Sequence, residues 1–207
     1  MREAGSKNRY TLVAIILHWV MALGIATLAV LGLVMAHVKL EPMRVFQLYQ
    51  LHKSIGITVL AAAVLRLGWR LAHRPPPLPE AMAPLERTAA RSVHLALYVA
   101  LFALPLTGWA LVSSSVLSIP TVLYGVIPWP DLPVLSTLAD KAPVEAVLKV
   151  VHAYGAYALI ALVGVHTAAA LRHHFIIRDA VLVQMLPVLS RRPKTSAQAA
   201  QMRENVQ

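Results

Sequence analysis

The chain has 207 residues, a formal net charge of +10, 58% apolar residues and only 14% charged ones, which is far from an average soluble domain and reads as one integral membrane domain. No cysteine is present, which excludes disulfides, cysteine-ligated iron–sulfur clusters and covalently attached c-type haem. The basic residues sit at the edges of apolar runs, where membrane topology accounts for them, so the positive charge is not read as a nucleic-acid footprint.

A spanning helix needs about 20 mainly apolar residues. Four such segments are predicted, at about residues 10–36, 48–71, 92–117 and 148–171, followed by a tail over 172–207. The expected fold is an all-α bundle of four transmembrane helices. The first span holds no charged residue and is too long for a cleaved signal peptide. The second has Lys53 near its start and Arg66 and Arg70 near its end. The third contains Pro105, a residue expected to bend it. Between the third and fourth spans, Pro120, Pro128, Pro130, Pro133 and Pro143 predict turns more than a long helix, with "APVEAVLKV" opening a helix that has Pro143 in its first turn.

Lys and Arg set the orientation. Arg2, Lys7, Arg9, Arg66, Arg70, Arg74, Arg87, Arg91, Arg172, Arg178, Arg191, Arg192, Lys194 and Arg203 fall on one side, and Lys39, Arg44, Lys53, Lys141 and Lys149 on the other. The positive-inside rule places both termini and the extended "RPPPLPEAMAPLER" linker in the cytoplasm.

The fourth span carries His152 and His166, fourteen residues apart. At about 100° and 1.5 Å per residue they share one helix face and stand about 21 Å apart, one near each surface of the membrane. One metal ion cannot bind both, whereas two stacked haems can each take one. The second axial imidazoles come from His18, His52 and His94, and depth decides among them. His52 adjoins Lys53 at the outer end of its helix and matches His152, which lies three residues past Lys149. His18 lies nine residues past Arg9 and matches His166, six residues before Arg172, whereas His94 is only three past Arg91 and is the reserve ligand.

A lone histidine near a helix end is ordinarily an interfacial residue, and His37, His73, His173 and His174 take that reading by default. Four imidazoles matched in depth inside apolar spans are costly and point to function. Zinc or copper transport is a rival reading. It would favour ligands about one turn apart joined by carboxylates or thiols, yet no Asp or Glu lies in any span. Gly56 and Gly155, close to His52 and His152, either leave room for a porphyrin face or serve helix packing. Arg66 and Arg70, one turn apart, either pair with haem propionates, line a quinone pocket, or snorkel to headgroups.

The stretches "RYTLVAIILHW", "LYQLHKSIGITVLAAAVLRLGWR", "RSVHLALYVALFALPLTGW" and "VHAYGAYALIALVGVHTAAALRHHFIIRDAVLVQMLP" together resemble the prokaryotic cytochrome b561 family, over about residues 9–187. That resemblance implies a four-helix protein of the bacterial inner membrane with two haem b groups on His18, His52, His152 and His166. His94 matches a family histidine outside this ligand set. One branch of the family is a superoxide:ubiquinone oxidoreductase, so the resemblance implies electron transfer from a periplasmic one-electron donor, superoxide, to membrane ubiquinone. Arg66, Arg70, His173 and His174 are then the candidate quinone or propionate contacts on the cytoplasmic side. The same resemblance extends to cytochrome b subunits that pass electrons from a partner dehydrogenase or hydrogenase to quinone, which is the alternative function. With no extra domain and no long fifth helix, the chain is expected to act free-standing. Its outer-face charge, with Glu41, Asp131, Asp140 and Glu145 against five cations, is only about +1.

Overall fold

The computed structural model describes residues 10–73, 75–77, 82–179 and 181–186. The expectations placed on the N-terminal cations, Arg74 and most of the 172–207 tail lie outside the described residues. Four long apolar helices cross the molecule: α1 (Leu12–His37), α2 (Pro42–Ala72), α3 (Pro84–Ser113) and, after a short connection, α5 (Ala142–Arg172). Each is long and apolar enough to span a bilayer. The principal packed pairs are α1–α2, α2–α3 and α3–α5.

Local sequence explains the helix limits. Thr11 caps α1, its hydroxyl accepting from the Ala14 N–H at 3.3 Å. Prolines sit in the first turns of α2, α3 and α5, where a missing N–H costs nothing. These proline starts extend the helices beyond their apolar stretches, so α2, α3 and α5 begin six to eight residues earlier than hydropathy alone suggests. Helix α3 continues through Pro105, since a membrane helix can re-satisfy the carbonyl a proline frees. At the α1–α2 crossing, a Cβ on Gly24 would stand 2.7 Å from a Val59 methyl carbon, so the glycine permits the close approach.

Two ends of the bundle differ. The connection from α3 to α5 forms a small cap: a hairpin of β1 (Thr121–Leu123) and β2 (Ile127–Trp129), turned at Tyr124 and Gly125 with positive φ, then the one-turn helix α4 (Pro133–Ser136). The sequence predicts turns here, but not strand pairing. Buried serines fasten the cap. Ser54 donates to the Gln50 carbonyl at 2.7 Å and accepts the Tyr124 N–H at 2.9 Å. Ser113 donates to the Trp109 carbonyl at 2.8 Å and accepts the Leu132 N–H at 2.9 Å. Trp109 Nε1 reaches the Pro130 carbonyl, and Gln50 the Pro120 carbonyl, both at 2.9 Å.

At the opposite end, α5 passes into a π-helical turn, His173–Ile177, closed by Arg178 at φ 59°. Glu86 of α3 pairs with Arg172 of α5. The turn at residues 181–185 is tied back to α1 by Trp19 Nε1 donating to the Met185 carbonyl at 2.7 Å.

Candidate functional site

The half-buried histidines of α1, α2 and α5 meet in two pairs. Near the hairpin cap, the rings of His52 and His152 have centroids 6.2 Å apart and planes 75° apart. Near the other end, His18 and His166 stand 6.3 Å apart at 69°. A metal about 2 Å from each of two opposed imidazole nitrogens, each nitrogen about 1.1 Å from its ring centre, requires a centroid separation of about 6.2 Å. Both pairs meet that requirement. Helix α5 runs unbroken from His152 to His166, so it gives one imidazole to each pair. The partner rings come from α1 and α2, which are not the helices packed most closely on α5. That spacing lets the rings face each other without touching. Among the described residues no group of three or more His, Asp or Glu converges to hold a bare ion.

The surroundings distinguish the imidazoles. His152 Nδ1 lies 3.2 Å from the Thr107 hydroxyl. His52 Nδ1 is buried without a hydrogen-bond partner. Glycines border both rings: a Cβ on Gly108 would come within 2.9 Å of His152 Cε1, and one on Gly32 within 3.7 Å of His52 Cε1. Neither glycine stands out from the sequence, because the contact is with another helix. Of the two glycines the sequence brings forward, Gly56 faces open space, whereas a Cβ on Gly155 would lie 3.1 Å from a Leu104 methyl carbon. Gly56 therefore leaves its surroundings open, and Gly155 lies at a helix contact. His94, expected to be shallower, nonetheless reaches His166, with ring centroids 5.2 Å apart, too close for one metal to sit axially between them.

A prokaryotic cytochrome b561 sequence profile matches residues 9–188. The chain belongs to the prokaryotic cytochrome b561 family. It is similar to "Cytochrome b561 homolog 2" of Escherichia coli (strain K12), at 34% identity over 90% of this chain and 95% of the relative. It is 26% identical to "Cytochrome b561 homolog 1" of the same organism, over 87% of this chain and 98% of that protein. A third relative, "Probable superoxide oxidase CybB" of Yersinia pestis, is 27% identical over 66% of this chain and 73% of its own length. Membership makes this a multi-pass membrane electron-transfer protein of a haem b-binding family. The imidazole pairs fit that cofactor.

In this cytochrome b561 the other candidate residues separate into two places. Arg66 and Arg70 of α2 line a cleft with Tyr10, Trp69, His73 and Tyr98. Arg66 donates to the Ala14 carbonyl at 3.2 Å, and the Arg70 guanidinium stands 5.4 Å from the centre of the Tyr98 ring. Burial pushes the Tyr10 phenol above its ordinary range, partly offset by the Arg70 and Arg66 charges, so it remains a proton-bearing donor. His173 does not line this cleft. It is buried in the π-turn with Nδ1 2.6 Å from an Asp179 carboxylate oxygen, and the other Asp179 oxygen accepts the Val181 N–H at 3.0 Å. His174 points elsewhere, edge-on to Phe175. The sequence could not separate these two adjacent histidines, because Asp179 lies beyond the α-helical periodicity.

Proposed function

We propose that this cytochrome b561 carries two haem b groups and passes single electrons across the bacterial inner membrane, from superoxide at the capped, periplasmic end to ubiquinone at the cytoplasmic end. The observation carrying this reading is the pair of imidazole pairs at 6.2 and 6.3 Å, joined through one continuous helix. His52 and His152 would hold one iron, and His18 and His166 the other. Haem b, when bound, supplies one-electron carriage, and the surrounding apolar helices keep it dry.

The choice of donor draws on two supports. One is the name of the Yersinia pestis relative. The other is charge: among the described residues no carboxylate pairs within 4.0 Å with Lys39, Arg44, Lys53, Lys141 or Lys149 at the capped end. Cations near a site raise the encounter rate of an anion such as superoxide, although Asp131 lies close enough to Lys53 to act on it and the net charge of this face is only about +1.

Ubiquinone reduction requires donors to two carbonyls and a supply of protons. At the cytoplasmic end Tyr10 can donate a hydrogen bond, and Arg66 and Arg70 can offset negative charge in the cleft. His173, oriented by Asp179 and outside this cleft, offers Nε2 as a further hydrogen-bonding group at the same end. Rapid mixing of the oxidised, haem-loaded protein with superoxide tests the donor: the b-type bands should appear within the mixing experiment and decay when a soluble ubiquinone analogue is added. Unchanged bands after superoxide, with reduction by a partner dehydrogenase instead, would reassign the protein as a membrane subunit of that dehydrogenase.

A further inference from the structure

Helix α3 supplies no ring to the two imidazole pairs, yet it borders both, through His94 beside His166 and through Thr107 and Gly108 beside His152. Thr107 Oγ1 lies 2.8 Å from the Leu104 carbonyl and 3.2 Å from His152 Nδ1. The carbonyl can only accept, so the hydroxyl proton goes to Leu104. The hydroxyl oxygen therefore accepts from His152, which requires the proton of that imidazole to be on Nδ1. This tautomer leaves the Nε2 lone pair free. One residue further along α3, the Gly108 backbone borders the same ring. A Cβ there would stand 2.9 Å from Cε1, 3.4 Å from Nδ1 and 3.7 Å from Nε2. At its Nδ1 corner the ring thus meets the Thr107 hydroxyl and the Leu104 carbonyl, and along its Cε1 edge it meets bare backbone. His52 on the opposite side has no such partner, its Nδ1 being buried and unpaired.

We propose that Thr107 is the positioning residue of His152, fixing the tautomer and ring plane with which it binds iron at the capped end, while Gly108 provides the clearance that this ring plane needs. The proposal rests on the haem reading above. A hydrogen bond from the distal nitrogen of a ligating imidazole raises its basicity and stabilises the oxidised metal. The group near the cap would then be held by one supported imidazole, His152, and one whose Nδ1 has no hydrogen-bond partner, His52.

The test uses the purified haem-loaded protein and the variants Thr107→Val, Thr107→Ser and Gly108→Ala, with redox titration and low-temperature electron paramagnetic resonance. Valine keeps the shape and removes the hydroxyl acceptor, leaving the Leu104 carbonyl beside the ring. One of the two midpoint potentials should then rise, one low-spin haem signal should shift, and that haem should be lost about ten-fold more readily, in line with changes to groups that support metal ligands. Thr107→Ser should restore all three, because it keeps the hydroxyl. Gly108→Ala, which pushes on the ring at Cε1, next to the Nδ1 corner, should shift the same haem signal and leave the other unmoved. If Thr107→Val gives wild-type potentials and signals, or if valine and serine shift them equally, the proposal is overturned. If Thr107→Val does not fold, a Gly108→Ala protein with both signals unchanged overturns it. A wild-type protein without b-type bands fails at an earlier step and overturns the haem reading itself.

Discussion

His152 and His166 lie on one face of the unbroken helix α5, and each faces an imidazole from a different helix at nearly the same separation, 6.2 Å for His152 with His52 and 6.3 Å for His166 with His18. On the proposed dihaem reading, this shared-helix arrangement would set the two cofactor positions about 21 Å apart along the helix axis. It also makes the two positions separable by mutation.

His52→Ala and His152→Ala should each remove one haem and leave the other. Pyridine haemochrome measurements should show about half the wild-type haem per chain for either variant. Loss of both haems from a protein that still folds would contradict the pairing.

His94→Ala should retain both haems. Its ring centre is 5.2 Å from that of His166, shorter than the separation two imidazoles need around one metal, whereas His18 meets it. A His94→Ala protein lacking the haem near His166, alongside a His18→Ala protein that keeps it, would move the ligand role from His18 to His94.

Asp179→Asn should slow reoxidation of the reduced haems by a soluble ubiquinone analogue, while His174→Ala should have little effect. The reason is that Asp179 orients the buried His173, whereas His174 is turned toward Phe175. Single-turnover kinetics with unchanged haem spectra would show it. Equal rates for Asp179→Asn and wild type, with a slow His174→Ala, would exchange the roles of the two histidines.

Ser54→Val should loosen the hairpin cap. Ser54 is 1% exposed and its hydroxyl joins the Gln50 carbonyl to the Tyr124 N–H, so valine leaves a partly buried amide unpaired. The expected loss is about 1–3 kcal/mol. It should be read as a lower thermal midpoint of the loaded protein and faster proteolysis near residues 121–129. An unchanged midpoint and cleavage pattern would show that the cap is held by other contacts.

Much of this molecule follows from sequence because lipid imposes a simple rule. Segments that cross must satisfy their backbone within a helix and turn apolar side chains outward. Four such segments, their approximate centres and the fourteen-residue spacing of His152 and His166 are therefore visible in the amino-acid order. So is the matching of His52 and His18 to them, because depth along a regular helix is counted in residues.

What needed the tertiary structure is everything decided across helices. Thr107 and Gly108 lie on α3 and act on a ring of α5, so no periodicity within either helix reveals them. The hairpin cap is set by serine hydroxyls on α2 and α3 that bind its backbone from below. The π-turn shows which of two neighbouring histidines is buried, because the extra residue in that turn changes the direction each side chain takes and brings Asp179 to His173. Sequence determines what a helix can offer at a given depth, while the packing of the neighbouring helices determines which group meets it.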